Sequence, residues 1–354
     1  MGRRSTTATS TTGPSPRKRK TAGKAILPSH SSKYHDLESY ARSVLELVVV
    51  TLRSLVLSTV LFSLSVPITQ GDLAWTSRHL DSWLYVVALL GWRVLEIGAA
   101  WALGYDARDV ASFIGLINLP THVLLYSFYG LRPTTILTVA VINIVSTAIP
   151  FLYFRPTNVI HSLSTSFDRP ILSDRPTAIY TTAVATSIYA VALYLSFATW
   201  LPSFLVTYFE GLPSIEIVHA GAKGLIPMFL GLLPAGYATR DFLFISSAGQ
   251  PHAEDTGPEY EERHGELVAM SLYRKYWVTL PAKKKTLIAR TGVLAVMIFA
   301  NTVVQLVGTI NGVEMEGAIG WAMIWMAATV VIGVVYGWID AADGLDAESK
   351  MARR

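Results

Sequence analysis

The chain has no cysteine among its 354 residues, which removes disulfides, thiolate metal sites and cysteine nucleophiles from consideration. Charge is also scarce. Asp, Glu, Lys and Arg together make up 15% of the residues, against roughly 25% in ordinary soluble domains. Catalytic signatures are missing as well: no GxxxxGK[ST] loop, no GxSxG elbow, no HExxH pair and no TVGYG filter occurs. The 8 histidines are scattered, so the ligand set of a multi-histidine iron enzyme cannot be assembled. Asp340, Asp343 and Asp346 repeat every three residues after the last apolar run, but the downstream arginine and second aspartate motif of a CDP-alcohol phosphotransferase are lacking. A solvated tail is the plainer reading of those aspartates. No metal or cofactor is expected, and enzymatic activity is the less favoured class.

What the sequence has instead is apolar length. Hydrophobic residues make up 51% of the chain and the mean hydropathy is +0.41, too apolar for a soluble domain of this size. The runs are too long for barrel strands and do not alternate, so helices must satisfy the backbone in lipid. The expectation is an all-α, polytopic membrane bundle of about eight helices, spanning 45–68, 83–105, 110–130, 134–154, 178–205, 223–245, 289–311 and 317–339. Small-x-x-x-small pairs at Gly98 with Ala102 and Gly333 with Gly337 mark places where helices can approach closely.

Around these spans the organisation follows from composition. Residues 1–44 are rich in Ser, Thr, Pro, Lys and Arg and read as a disordered basic tail. The paired Arg3 and Arg4 resemble a di-arginine signal of the endoplasmic reticulum. Residues 45–154 form a first four-helix half, 155–177 a loop, 178–339 a second half, and 340–354 a C-terminal tail. Of the 29 Lys and Arg, 24 fall on one side. The exceptions are Arg78, Arg132 and Lys223 in opposite loops, and Arg53 and Arg93 within spans. This asymmetry predicts that both termini face the cytosol.

Three local features stand out. GYDARD at 104–109 and GYATRD at 236–241 share Gly-Tyr-x-x-Arg-Asp, the mark of a possible 4+4 parallel repeat; coincidence is the competing reading. Arg108 and Arg240 within them suit helix C-termini or lipid phosphates. The loop 246–288 mixes aromatic and basic residues, and Arg274, Lys275, Trp277, Lys283, Lys284 and Lys285 predict an interfacial amphipathic helix on anionic lipid. Span 223–245 carries Pro227 and Pro234 and is expected to kink or break.

The functional question centres on residues 89–101, LLGWRVLEIGAAW. An ionised group at the bilayer centre costs roughly 2.5–3.5 kcal/mol even on lenient scales, so Arg93 and Glu96 require partners or a cavity. Counting 1.5 Å of rise per residue, Asn118, His122, Asn143, Asn301 and Gln305 lie at the same depth. One reading makes this layer a set of interhelical bonds that pins the bundle. The other makes Arg93, Glu96, His122, Asn143, Asn301 and Gln305 the binding site of a small polar or amphiphilic solute, bound or transported through an endomembrane protein. A non-catalytic membrane organiser or assembly factor is the alternative function, and a membrane lipid enzyme a further one. Anionic lipids and a small solute are the expected partners, and nucleic-acid binding is not needed to explain the net charge of +4.

Overall fold

The computed structural model describes residues 30–79, 82–156, 175–219, 221–248, 277 and 280–352. The chain divides into two units, Met1–Leu45 and Glu46–Arg354. Described residues of the first unit belong to the opening turns of helix α1 (His30–Thr69), which start well before the expected span. An exposed i,i+4 pair of Glu38 with Arg42, 3.8 Å apart, accompanies these turns.

The described residues of the second unit are almost entirely helical. α1 ends in a turn at Gln70 and Gly71, both with positive φ, and the short α2 (Asp72–Thr76) follows. Then come α3 (Trp83–Ala102), α4 (Ala107–Ser127), α5 (Pro133–Phe154), α6 (Arg175–Ala198), α7 (Leu201–Tyr208), α8 (Glu216–His219), α9 (Leu225–Thr239), α10 (Ala282–Thr309) and α11 (Met315–Ala352). Among the described residues there is no strand, only isolated bridges of Ser77 with Ile310 and Phe209 with Val313.

Among the described residues, seven stretches are long and apolar enough to cross a membrane: Ala41–Thr69, Trp83–Ala102, Ala107–Ser127, Pro133–Phe154, Arg175–Ala198, Ala282–Thr309 and Met315–Ala342. The protein is an integral membrane helix bundle. The sixth expected span, 223–245, is helical too, but α-helical only to Thr239; a six-residue π segment, Arg240–Ile245, follows, and Ser246–Ala248 is α-helical again. The expected break therefore falls beyond Pro234, not at it. The expected span 178–205 is divided between α6 and α7, because Pro202 lacks the N–H that would continue the helix and sits comfortably in the first turn of α7. At the C-terminus, α11 runs on as helix through 340–352, where a tail was expected.

α4 is the central helix. Of its most apolar window 67% is buried, against 17% for α3 and for the α1 span, whose exposed Leu, Val and Trp side chains suit lipid. α4 packs against α5, α10 and α9, α10 against α11, and α6 against α9 and α11. Close approach depends on glycine at several interfaces, Gly236 and Gly333 among them. A Cβ on Gly236 would lie 2.7 Å from the Thr182 carbonyl oxygen, and one on Gly333 2.4 Å from Thr291 Cγ2. Gly333 thus behaves as its spacing with Gly337 predicts. Gly98 does not: nothing lies within 4 Å of its Cβ position.

The loops opposite the Arg-rich side are tied by backbone bonds and two arginines. Arg132 donates to Asp72 Oδ2 (2.7 Å), Gln70 Oε1 (2.9 Å) and the Thr69 carbonyl (3.0 Å), and Thr135 donates to the same carboxylate (2.6 Å). These bonds, from Arg132 above all, hold the Asp72 carboxyl below its ordinary value. Arg78 ties the α2–α3 connection to α10 through the carbonyls of Thr309 and Val307. Gly312 has φ +75°, and a Cβ there would meet the Glu210 carbonyl oxygen at 2.7 Å, so the bridge between Phe209 and Val313 depends on its missing side chain.

Candidate functional site

The polar layer expected in mid-bundle exists as a connected chain of bonds. On α3, Arg93 donates to Glu96 Oε2 at 2.7 Å, one turn away, and also to the Thr147 hydroxyl and the Asn143 carbonyl of α5. The other Glu96 oxygen accepts from Trp92 Nε1 at 3.0 Å; the same N–H lies 2.9 Å from Asn301 Oδ1 of α10. Asn301 then donates to the Ile117 carbonyl (2.8 Å) and to Asn118 Oδ1 (3.4 Å), and Gln305 donates to that same Asn118 oxygen. Asn118 returns its own N–H to the Ile114 carbonyl at 2.8 Å. Glu96, Asn118 and Asn301 are buried.

Four helices, α3, α4, α5 and α10, are joined in this way. Arg93, Glu96, Asn301 and Gln305 come together as their depth suggested, and Asn301 with Gln305 shows the i,i+4 logic directly. Asn143 takes part through its backbone carbonyl. His122 is buried but makes no side-chain hydrogen bond among the described residues. Trp92 and Thr147 were not foreseen. Trp92 is the joint between the charged pair and the amides, and its only sequence signal is an indole donor beside an intramembrane arginine.

A second polar cluster, more strongly charged, forms where α4 begins and α9 ends. Asp106 caps α4, accepting from the Asp109 N–H at 2.8 Å. Asp109, fully buried, receives both arms of Arg290 from α10, at 2.9 and 2.8 Å. Arg290 also donates to Ser246 Oγ (2.8 Å) and the Phe242 carbonyl (3.1 Å), with Tyr105 and Phe242 ring centres each 5.0 Å away. Burial drives the Tyr105 phenol up to about 12, against a smaller opposing pull from Arg290. Beside this pair, Arg108 makes a two-pronged bond to Asp241 of the π segment. Nearby, Arg155 caps the end of α3 through the Trp101 carbonyl (2.6 Å) and stacks 4.2 Å over the Trp101 ring.

The two Gly-Tyr-x-x-Arg-Asp copies are therefore in contact, through Arg108 of one and Asp241 of the other. Their local structure differs. GYDARD straddles the break between α3 and α4, with Gly104 at φ +75°, whereas GYATRD lies within continuous helix. Of the expected lipid-interface residues, Lys283, Lys284 and Lys285 open α10 and Trp277 is half-buried. Arg274 and Lys275, with most of the expected interfacial helix, lie outside the described residues. Among the described residues no group of three or more His, Asp or Glu could hold a metal ion.

Fold and site together define a multi-pass membrane helix bundle locked by two buried polar clusters. Residues 174–339 match the family model of the Bouquet formation protein 3 C-terminal domain, so this stretch, from α6 into α11, is similar to that family. No curated protein and no solved structure matches the chain.

Proposed function

We propose that the protein is a non-catalytic, membrane-embedded organiser with a role in bouquet formation, carried by its C-terminal half. The single observation that favours this reading is the closure of the mid-bundle layer. Arg93, Glu96, Trp92, Asn118 and Asn301 bond to one another and to backbone carbonyls across four helices, which is what a structural pin requires in lipid. The likeness of 174–339 to a family named for bouquet formation agrees with it. In this reading the protein resides in an endomembrane with both termini cytosolic, in keeping with the distribution of Lys and Arg, and its basic residues engage anionic lipid.

The test replaces the pinning pair by apolar residues of similar size, Arg93→Met with Glu96→Leu, in the full chain. Bouquet formation is then scored in cells that contain only this variant, alongside cells lacking the chain. Loss of the chain abolishes bouquet formation and the double variant restores it. Normal bouquets without the chain would sink the reading.

Solute binding or transport through the same layer is the second reading, and His122, buried without a hydrogen-bond partner, favours it. It is supported if a solute flux in proteoliposomes is lost in Arg93→Ala while the bundle stays folded.

A further inference from the structure

Three arginines gather around the π segment, and their bonding is unequal. Arg108 is matched by Asp241 and Arg290 by Asp109, each through two donors. Arg240, between Thr239 and Asp241, is only 7% exposed, and its Nε is enclosed without an acceptor. Its side chain makes no hydrogen bond and no ion pair among the described residues. Both neighbouring aspartates are already taken. Asp340, one turn beyond Tyr336 on α11 and half-buried, makes no ion pair among the described residues either.

A guanidinium is a permanent charge that needs a counter-charge when it is enclosed. Leaving such a charge uncompensated is among the costlier features a fold can carry. The surroundings fit an anion from outside the chain. Tyr336, within electrostatic reach of Arg240, donates its hydroxyl hydrogen bond to the Thr181 carbonyl at 2.9 Å. Lys283, Lys284 and Lys285 open α10, the helix whose Arg290 completes the neighbouring pair. The flat two-pronged guanidinium suits a phosphate better than any other common anion except carboxylate.

We infer that Arg240 is the seat of a phosphate-bearing anion, the counter-charge that completes the charged cluster between α4, the π segment and α10. A phospholipid headgroup and a soluble phosphate share this chemistry, and the experiment separates them.

The full chain is purified into nanodiscs containing phosphatidic acid and phosphatidylcholine, and retained lipid is measured by mass spectrometry. Arg240→Gln is compared with Lys223→Gln, which removes one exposed charge elsewhere. A lipid site is supported when retained phosphatidic acid falls at least about tenfold in Arg240→Gln and is unchanged in Lys223→Gln. A soluble source is supported when inorganic phosphate, without anionic lipid, raises the melting temperature of the native chain but not of Arg240→Gln. If Arg240→Gln does not fold, Arg240→Lys is read instead; it keeps the charge without the fork, and weakened retention or a weakened phosphate shift supports the site. The inference is overturned if neither probe distinguishes the Arg240 variant from the native chain. It is also overturned if Asp340→Asn and Arg240→Gln lower the melting temperature equally while lipid retention and the phosphate response stay unchanged, because Asp340 would then be the partner.

Discussion

Arg290 and Asp109 stand 181 residues apart in the chain and meet through two parallel bonds of 2.9 and 2.8 Å, the carboxylate fully buried. The pair joins α10 to the first turn of α4, and Ser246 bonds to both partners, at 2.8 Å to Arg290 and 3.1 Å to Asp109. Removing one partner leaves the other charged in a dry site. Asp109→Leu is therefore expected to cost about 3–5 kcal/mol, and Asp109→Leu with Arg290→Met to recover most of it. Thermal melting of the purified single and double variants measures this, and additive losses would contradict it.

Trp92 donates at once to Glu96 and Asn301. Trp92→Phe keeps most of the ring and deletes the N–H. Glu96 keeps its bond from Arg93, but the Asn301 carbonyl is left short of a donor, so a loss of about 1–3 kcal/mol is expected. Asn301→Leu in the Trp92→Phe background should cost less than in the native background, since the two changes remove the same bond. A double-mutant cycle by thermal melting reads the difference.

Glycines at helix contacts should differ sharply in tolerance. Gly236→Ala drives a methyl against Thr182 and Thr186, prises α6 from α9 and should cost about 1–3 kcal/mol, the usual range for overpacking. Gly98→Ala meets nothing within 4 Å and should be neutral or slightly stabilising. Equal effects of the two would contradict a tight contact of Gly236 with Thr182 and Thr186.

Asp72 supplies a pH-dependent clamp. Its carboxyl is held below the ordinary 3.8, chiefly by the bond from Arg132 and then by Thr135. Its contribution is therefore complete above pH 3.8 and is lost as the pH falls through the lowered folded value. Hydrogen exchange of amides in 69–76 should accelerate over that acid window in the native chain and should be fast and independent of pH-linked protonation at Asp72 in Asp72→Asn. Because the group is solvent-accessible, the effect is local.

Hydropathy was enough to place the membrane helices, since twenty apolar residues in a row have few other uses. Depth counting was enough to group Arg93, Glu96, Asn301 and Gln305, because a charge in lipid must find polar company at its own level. Sequence could not show how the groups pair. Nothing local tells Asp109 that its partner is Arg290 and not the adjacent Arg108, because that choice depends on where α10 passes α4. The repeated motif made Arg108 and Arg240, and Asp109 and Asp241, equivalent positions of two halves; the fold instead pairs Arg108 of one copy with Asp241 of the other. The π segment was invisible for a similar reason. Pro227 and Pro234 announce disruption, yet the residues that adopt the wider turn, RDFLFI, have no propensity for it and are held there by burial of all six.

That wider turn also sets the phase of everything downstream. A π turn uses one more residue than an α turn, so Arg240–Ile245 acts as a spacer that lets Asp241 reach α4 while Ser246 reaches Arg290 of α10. If all six residues of 240–245 wound as uniform α-helix instead, the two ends would rotate by about a quarter turn relative to each other. The ion pair of Asp241 could then be kept only by giving up the bond between Ser246 and Arg290. The number of residues in this stretch matters alongside the identities of Arg240 and Asp241.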